Sequence, residues 1–250
     1  MERFAILIES SNVKGLKDLP GARADVEQWQ FFLKSKLGGL WSNEEFCVLS
    51  KPYSSDIETL LESNRNKYCY VAFSGHGYHD NKSNKSKICL NDILQDYDVS
   101  NLRPKGTKGT LLIDACRGVE SGQRKVLIEE SRIKIAADSK YAEFSKAFFH
   151  EKEIWFNNLN SSNNGTATLF SCNIGESAGE FEKEDPNQGG YFTTIMMLTA
   201  QNWEKTANSR SCYSTKDAYN ATEKYMKINF PNQKPVYDPS YVAFPFAVKG

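Results

Sequence analysis

The chain has 250 residues, and 31 Lys plus Arg balance 31 Asp plus Glu. That length fits one domain with a sizeable core, and the zero net charge argues against nucleic acid or an anionic membrane as the partner. No apolar run is long enough for a membrane span, and no secretory leader is evident at the start. The six widely spaced cysteines read as free thiols rather than a disulfide or zinc framework, so a reducing cytoplasm is expected.

Residues 3–9 (RFAILIE) read as a first strand, apolar nearly throughout, as a parallel strand covered on both faces should be. After a turn-rich loop, 25–36 reads as a helix with Val26, Trp29, Phe32 and Leu33 on one face, stopped by Gly38 and Gly39. A second strand is expected at 45–49. Ser54, Ser55 and Asp56 then cap a helix carrying Ile57, Leu60 and Leu61 at helical spacing. Residues 67–77 (KYCYVAFSGHG) form a third strand that ends on His76, and this alternation predicts a parallel sheet with right-handed crossovers.

A polar insert follows, with a short strand at KICL and a short helix at DILQDY. The stretch 111–118 (LLIDACRG) then runs apolar residues into an acid, a cysteine, an arginine and a turn glycine. It delivers Cys116 to the C-terminal edge of the sheet, where open α/β sheets take their ligands. Residues 118–165 read as a long irregular linker. A fifth strand is expected at 166–171, an apolar core helix at 191–203, and a helix from about residue 215 with Ala218, Ala221, Tyr225 and Ile228 inward, ending before Pro231. Residues 241–248 close the chain as a strand that Pro245 confines to an edge.

Cysteine and histidine at the ends of two such strands carry a recognisable chemistry. A thiolate is a potent nucleophile, and an imidazole beside it takes the thiol proton and later protonates a leaving amine. His79 and His150, by contrast, read as ordinary polar residues.

SGHG lies 40 residues before DACRG (116 minus 76). With LPGARADVEQWQFFL, SCNIGESAGE, GGYFTT and the closing QKP, it resembles the caspase-like cysteine peptidases, the group of caspases, metacaspases and paracaspases. The resemblance spans almost the whole chain. It implies an α/β caspase-like three-layer sandwich, a mostly parallel six-stranded sheet flanked by helices, in a single domain 1–250. Within that domain 1–118 is large-subunit-like, 119–165 a linker loop and 166–250 small-subunit-like. It also implies that Cys116 is the nucleophile and His76 the general acid/base, with the backbone N–H groups of Gly77 and Cys116 forming the oxyanion hole.

Asp25, Asp114 and Glu180 match the acidic pattern by which metacaspases and paracaspases bind basic residues; Asp114 stands where caspases have glutamine. Three carboxylates in one pocket repel one another unless a cation enters, so the expectation is cleavage after Arg, with Lys second. Arg23 is a nearby charge able to neutralise Asp25. Arg124, Lys125, Arg132 and Lys134 are candidate self-cleavage positions in the linker. Metacaspases often need calcium, but RGVESGQRK offers only Glu120, too few oxygen donors, so no metal and no cofactor are expected.

The expected partners are a protein or peptide substrate with Arg or Lys before the cut bond and an activating or regulatory protein, with no nucleic acid or membrane. Family members act in programmed cell death, stress responses and antiviral defence. The alternatives are a catalytically silent interaction module and an Asp-specific caspase. Caspases pair through the last strand, and Pro245 there counts against continuous sheet extension.

Overall fold

The structure, a computed structural model, describes residues 1–120, 150–181 and 189–250. In chain order the elements are β1 (Arg3–Ser10), α1 (Pro20–Lys34), β2 (Phe46–Ser50), α2 (Ser54–Ser63), β3 (Tyr68–Gly75), β4 (Gly77–Asp80), β5 (Lys85–Cys89), β6 (Asp96–Asp98), β7 (Lys108–Asp114), β8 (Val119–Glu120), α3 (His150–Ser161), β9 (Gly165–Phe170), α4 (Tyr191–Thr206), β10 (Ser211–Ser214), α5 (Thr215–Asn229), β11 (Val236–Asp238) and β12 (Pro245–Lys249).

Successive side chains of β1 enter two different cores: Ala5 and Leu7 pack into one, Ile6 and Ile8 into the other. The same alternation on β3 and β7 makes a sheet covered on both faces, in the order β11-β9-β7-β3-β1-β2. Five strands are parallel and β11 runs antiparallel to β9. One face is covered by α1, α3, α4 and α5, through Trp29, Trp155, Phe192 and Met226 among others. The other is covered by α2 and by a small sheet of order β6-β5-β4-β8, through Ile57, Leu61, Ile88 and Tyr97. Among the described residues no helix is long and apolar enough to cross a membrane.

The architecture is the caspase-like sandwich the sequence implies, with several local corrections. α1 starts at Pro20 rather than at residue 25, because proline tolerates a first helical turn. Asp25 therefore lies on the helix's buried face beside Val26 and Trp29, not at its entry. DILQDY is not a helix: Leu94 takes a positive φ of 52° in a tight turn, and Tyr97 continues into β6.

The expected linker contains α3, whose Ile154, Trp155 and Leu159 join the larger core. In α5 the buried residues are Thr215, Ala218, Tyr219, Thr222 and Met226, and Ile228 is 74% exposed, since two residues past Met226 is the far side of a 3.6-residue turn. The sixth strand of the main sheet is β11, not the 241–248 segment. β12 instead pairs with β10 in a separate two-stranded ribbon, and its Pro245 is the first strand residue, at an irregularity opposite Ser214.

Candidate active site

β3 and β7 are parallel neighbours in the middle of the sheet, and their register ends with Ser74 opposite Asp114. His76 and Cys116 each follow two residues later, so the pairing brings them to the same point of the carboxyl edge. Gly77 is pressed against the chain there: a Cβ on it would meet the Cys116 carbonyl oxygen at 2.8 Å and the Ala115 Cβ at 2.9 Å. Only glycine allows that approach without a shift.

The imidazole of His76 is held by the β1–α1 loop, its Nε2 lying 2.7 Å from the carbonyl oxygen of Lys17. A carbonyl can only accept, so Nε2 carries the proton and Nδ1 is the basic nitrogen. The Cys116 thiol is engaged by the loop after β9. The Ala178 N–H donates to Sγ at 3.3 Å, and Sγ lies 3.7 Å from the Ala178 carbonyl. Burial raises the Cys116 pKa, with the Ala178 N–H and the Ser177 hydroxyl acting in the opposite direction, so the resting side chain is a thiol.

Asp25 and Asp114 lie against the Gly189–Gly190 backbone, and Glu180 lies on Gly21 of α1. Asp25 accepts from the Ser74 hydroxyl at 2.6 Å through Oδ2 and from the Gly190 N–H at 2.7 Å through Oδ1. Asp114 accepts the Thr193 hydroxyl at 2.7 Å and the Thr193 N–H at 3.2 Å. Glu180 accepts from the Gly21 N–H at 3.0 Å. A Cβ on Gly190 would sit 2.6 Å from Asp114 Oδ2 and 3.0 Å from Asp25 Oδ2, so both carboxylates flank one glycine.

Burial raises the pKa of all three acids; the charge of Asp114 pushes Asp25 further up, while at Glu180 the Gly21 N–H and the charge of Lys17 act against burial and Asp114. Among the described residues no Lys or Arg makes an ion pair with any of them. Arg23 is exposed, and its charge acts on Glu9, whose pKa it helps to lower, so it does not neutralise Asp25.

Several contributors carried no role in the sequence reading. The Lys17 carbonyl could not be found from residue type, because any residue supplies one. Thr193 and Gly190 lie in GGYFTT, and Gln233 in QKP; Gln233 ties the Ser171 carbonyl to the Gly179 N–H at 3.0 and 2.9 Å. Arg117 and His79 are both buried, on the opposite side of the sheet from the acids. Arg124, Lys125, Arg132 and Lys134 lie outside the described residues. Among the described residues no group of three or more His, Cys, Asp or Glu could hold a metal ion.

A mostly parallel sheet carrying a thiol and an imidazole at the carboxyl edge of adjacent central strands is the framework of an α/β cysteine peptidase. The family model of the caspase domain (peptidase C14) matches residues 2–239, and the chain belongs to that family. Caspase-1 from Spodoptera frugiperda has the same fold at 14% identity, with a TM-score of 0.58 over 99% of this chain and 90% of that one. Protein GSU0716 from Geobacter sulfurreducens matches at 13% identity and a TM-score of 0.58 over 100% of both chains. No curated protein matches the chain by sequence.

Proposed function

We propose that the chain is a cysteine endopeptidase that cuts peptide bonds after Arg, and less well after Lys, and that it is latent in the conformation described. The observation that carries this reading is the pair of buried carboxylates, Asp25 and Asp114, flanking Gly190 with neutral donors only. Two buried carboxylates whose ionisation has no counter-charge among the described residues favour a cationic guest, which would let both ionise, and the planar guanidinium of Arg matches carboxylates better than the ammonium of Lys. Glu180, at the rim through Gly21, adds a third charge of the same sign. An Asp-specific pocket would need cations where these acids stand.

In the reaction, Nδ1 of His76 takes the Cys116 proton and the thiolate attacks the carbonyl carbon. The N–H groups of Gly77 and Cys116 receive the developing oxyanion. The imidazolium then protonates the leaving amine, and water, deprotonated by the same nitrogen, hydrolyses the thioester. The Lys17 carbonyl holds the ring in the tautomer this requires. The pathway starts once Sγ leaves Ala178, and we assign that step to an activating partner or to cleavage in the linker. Six free thiols suit a cytoplasmic setting.

The test sets fluorogenic peptides ending in Arg, Lys or Asp against the chain with its linker cut by an added protease, and against Cys116→Ala treated in the same way. Cleavage after Arg that is lost in Cys116→Ala is the expected result. Cleavage after Asp alone removes the pocket assignment. The silent interaction module is favoured instead if the chain, with its linker cut by an added protease, hydrolyses none of the three.

A further inference from the structure

Among the described residues the fold buries two guanidinium groups. Arg3 lies over Trp41 and Trp155 and pairs with Glu45, Nε to Oε1 at 3.1 Å. Arg117, the residue after Cys116, is only 9% exposed and has no carboxylate partner among the described residues. Its Nε donates to Ser86 Oγ at 3.0 Å, its Nη1 to the Cys172 carbonyl at 3.3 Å, and its face stacks on Phe170, 4.0 Å from the ring centroid. All three partners are neutral, and a buried cation without a counter-charge is costly to the folded state.

Arg117 also lines a cavity of about 360 Å³ between the small sheet and the end of the main sheet. Phe170 and Ile174 give this cavity its accessible apolar surface, Leu111 and Val99 being almost wholly buried, and Ser86, Ser100 and Arg103 add polar groups. Of its two acids, Asp98 is already paired with Lys85 at 2.6 Å, and Asp238 is exposed. The balance at the wall is therefore positive, and the volume is that of a small-molecule site.

We propose that this cavity binds a small organic oxyanion, a phosphate or carboxylate group on a flat apolar body, with the acid group on Arg117 and Arg103 and the body on Phe170 and Ile174. The guanidinium supplies the N–H donors that Ser86 and the Cys172 carbonyl leave unused, and the ligand supplies the counter-charge missing among the described residues. The site is on the opposite face of the sheet from the acid pocket and does not depend on the proposed peptidase activity.

The test is calorimetric titration of the full chain carrying Cys116→Ala with phenyl phosphate, benzoate and, as the uncharged control, phenol. Saturable binding of phenyl phosphate or benzoate in the millimolar range or tighter is expected, with phenol at least tenfold weaker, and the tighter acid identifies the anionic group. Arg103→Gln, an exposed change that leaves the core intact, should weaken binding about threefold or more, and Arg117→Met at least tenfold. Absence of binding by both acids, equal binding of phenol, or unchanged affinity in Arg103→Gln overturns the assignment, even if Arg117→Met does not fold.

Discussion

Two residues close to Cys116 in the chain present opposite cases of the same electrostatic problem. Asp114, two positions before it, is a buried anion held by the hydroxyl and N–H of Thr193. Arg117, one position after it, is a buried cation held by Ser86, a backbone carbonyl and an aromatic face. The sheet separates them. Leu112 faces the core under α1 and α4, whereas Leu111, Ile113 and Ala115 face the core under α2 and the small sheet. Asp114 follows the first set, and Arg117 leaves on the side of the second. Two opposite charges three residues apart therefore do not neutralise each other, and the two proposed guests, a cation on one face and an oxyanion on the other, follow from that separation. Arg3, with Glu45 beside it, shows how the fold compensates a buried charge when no guest is involved.

The largest expected effect separates the acid side from the thiol. Asp114→Asn should lower kcat/KM for Arg peptides by about 30-fold, roughly 2 kcal/mol, by leaving the guanidinium short of one buried partner. The rate of Cys116 alkylation by iodoacetamide should stay within about threefold of the native value, on the same free-energy scale. Loss of both would mean that Asp114 positions the thiol rather than the substrate.

A smaller effect compares the two buried cations. Arg3→Met removes the nearer partner of Glu45, leaving Lys152 at 3.5 Å, and should cost about 1.5 kcal/mol in denaturant unfolding, whereas Arg117→Met strands no carboxylate among the described residues and should change stability by no more than about 0.5 kcal/mol. Equal costs would remove the distinction between a compensated and an uncompensated guanidinium.

The smallest effect concerns pH. The Asp25 pKa is raised in the fold, first by burial and then by Asp114, so the folded state holds the proton more tightly than the unfolded chain. The stability this confers is complete below the ordinary carboxylate range and is lost as pH rises through the raised value. In Asp25→Asn the Ser74 hydroxyl can reverse to accept from the amide, and the strain of ionisation is gone. Its melting temperature relative to the native chain should therefore climb by a few degrees between about pH 4 and pH 8. A flat difference would show that the acids do not strain one another.

Much of the arrangement is legible in the chain itself. The apolar runs of β1, β3 and β7 identify strands covered on both faces, because a strand that must be dry on both sides has no polar alternation to display. SGHG and DACRG mark the thiol and imidazole because small and turn-forming residues must follow a strand that presents a side chain at its end. The errors fall where sequence neighbours lack the deciding contact. Asp25 looked like a helix-entry acid until Pro20 started the helix a turn and a half earlier, and the last apolar run looked like the sixth strand although β11 takes that place.

Sequence alone determined the class of the fold, its alternating elements and the two strand ends that carry His76 and Cys116, since periodicity and residue type are local properties. Tertiary structure decided which groups share a charge environment. It put Asp25 and Asp114 on either side of Gly190 with Glu180 on Gly21, assigned the Lys17 carbonyl to His76, turned Cys116 toward Ala178, and left Arg117 without a carboxylate among the described residues. Burial and Coulomb interaction depend on distance through space, which strand register and helix packing set and residue order does not.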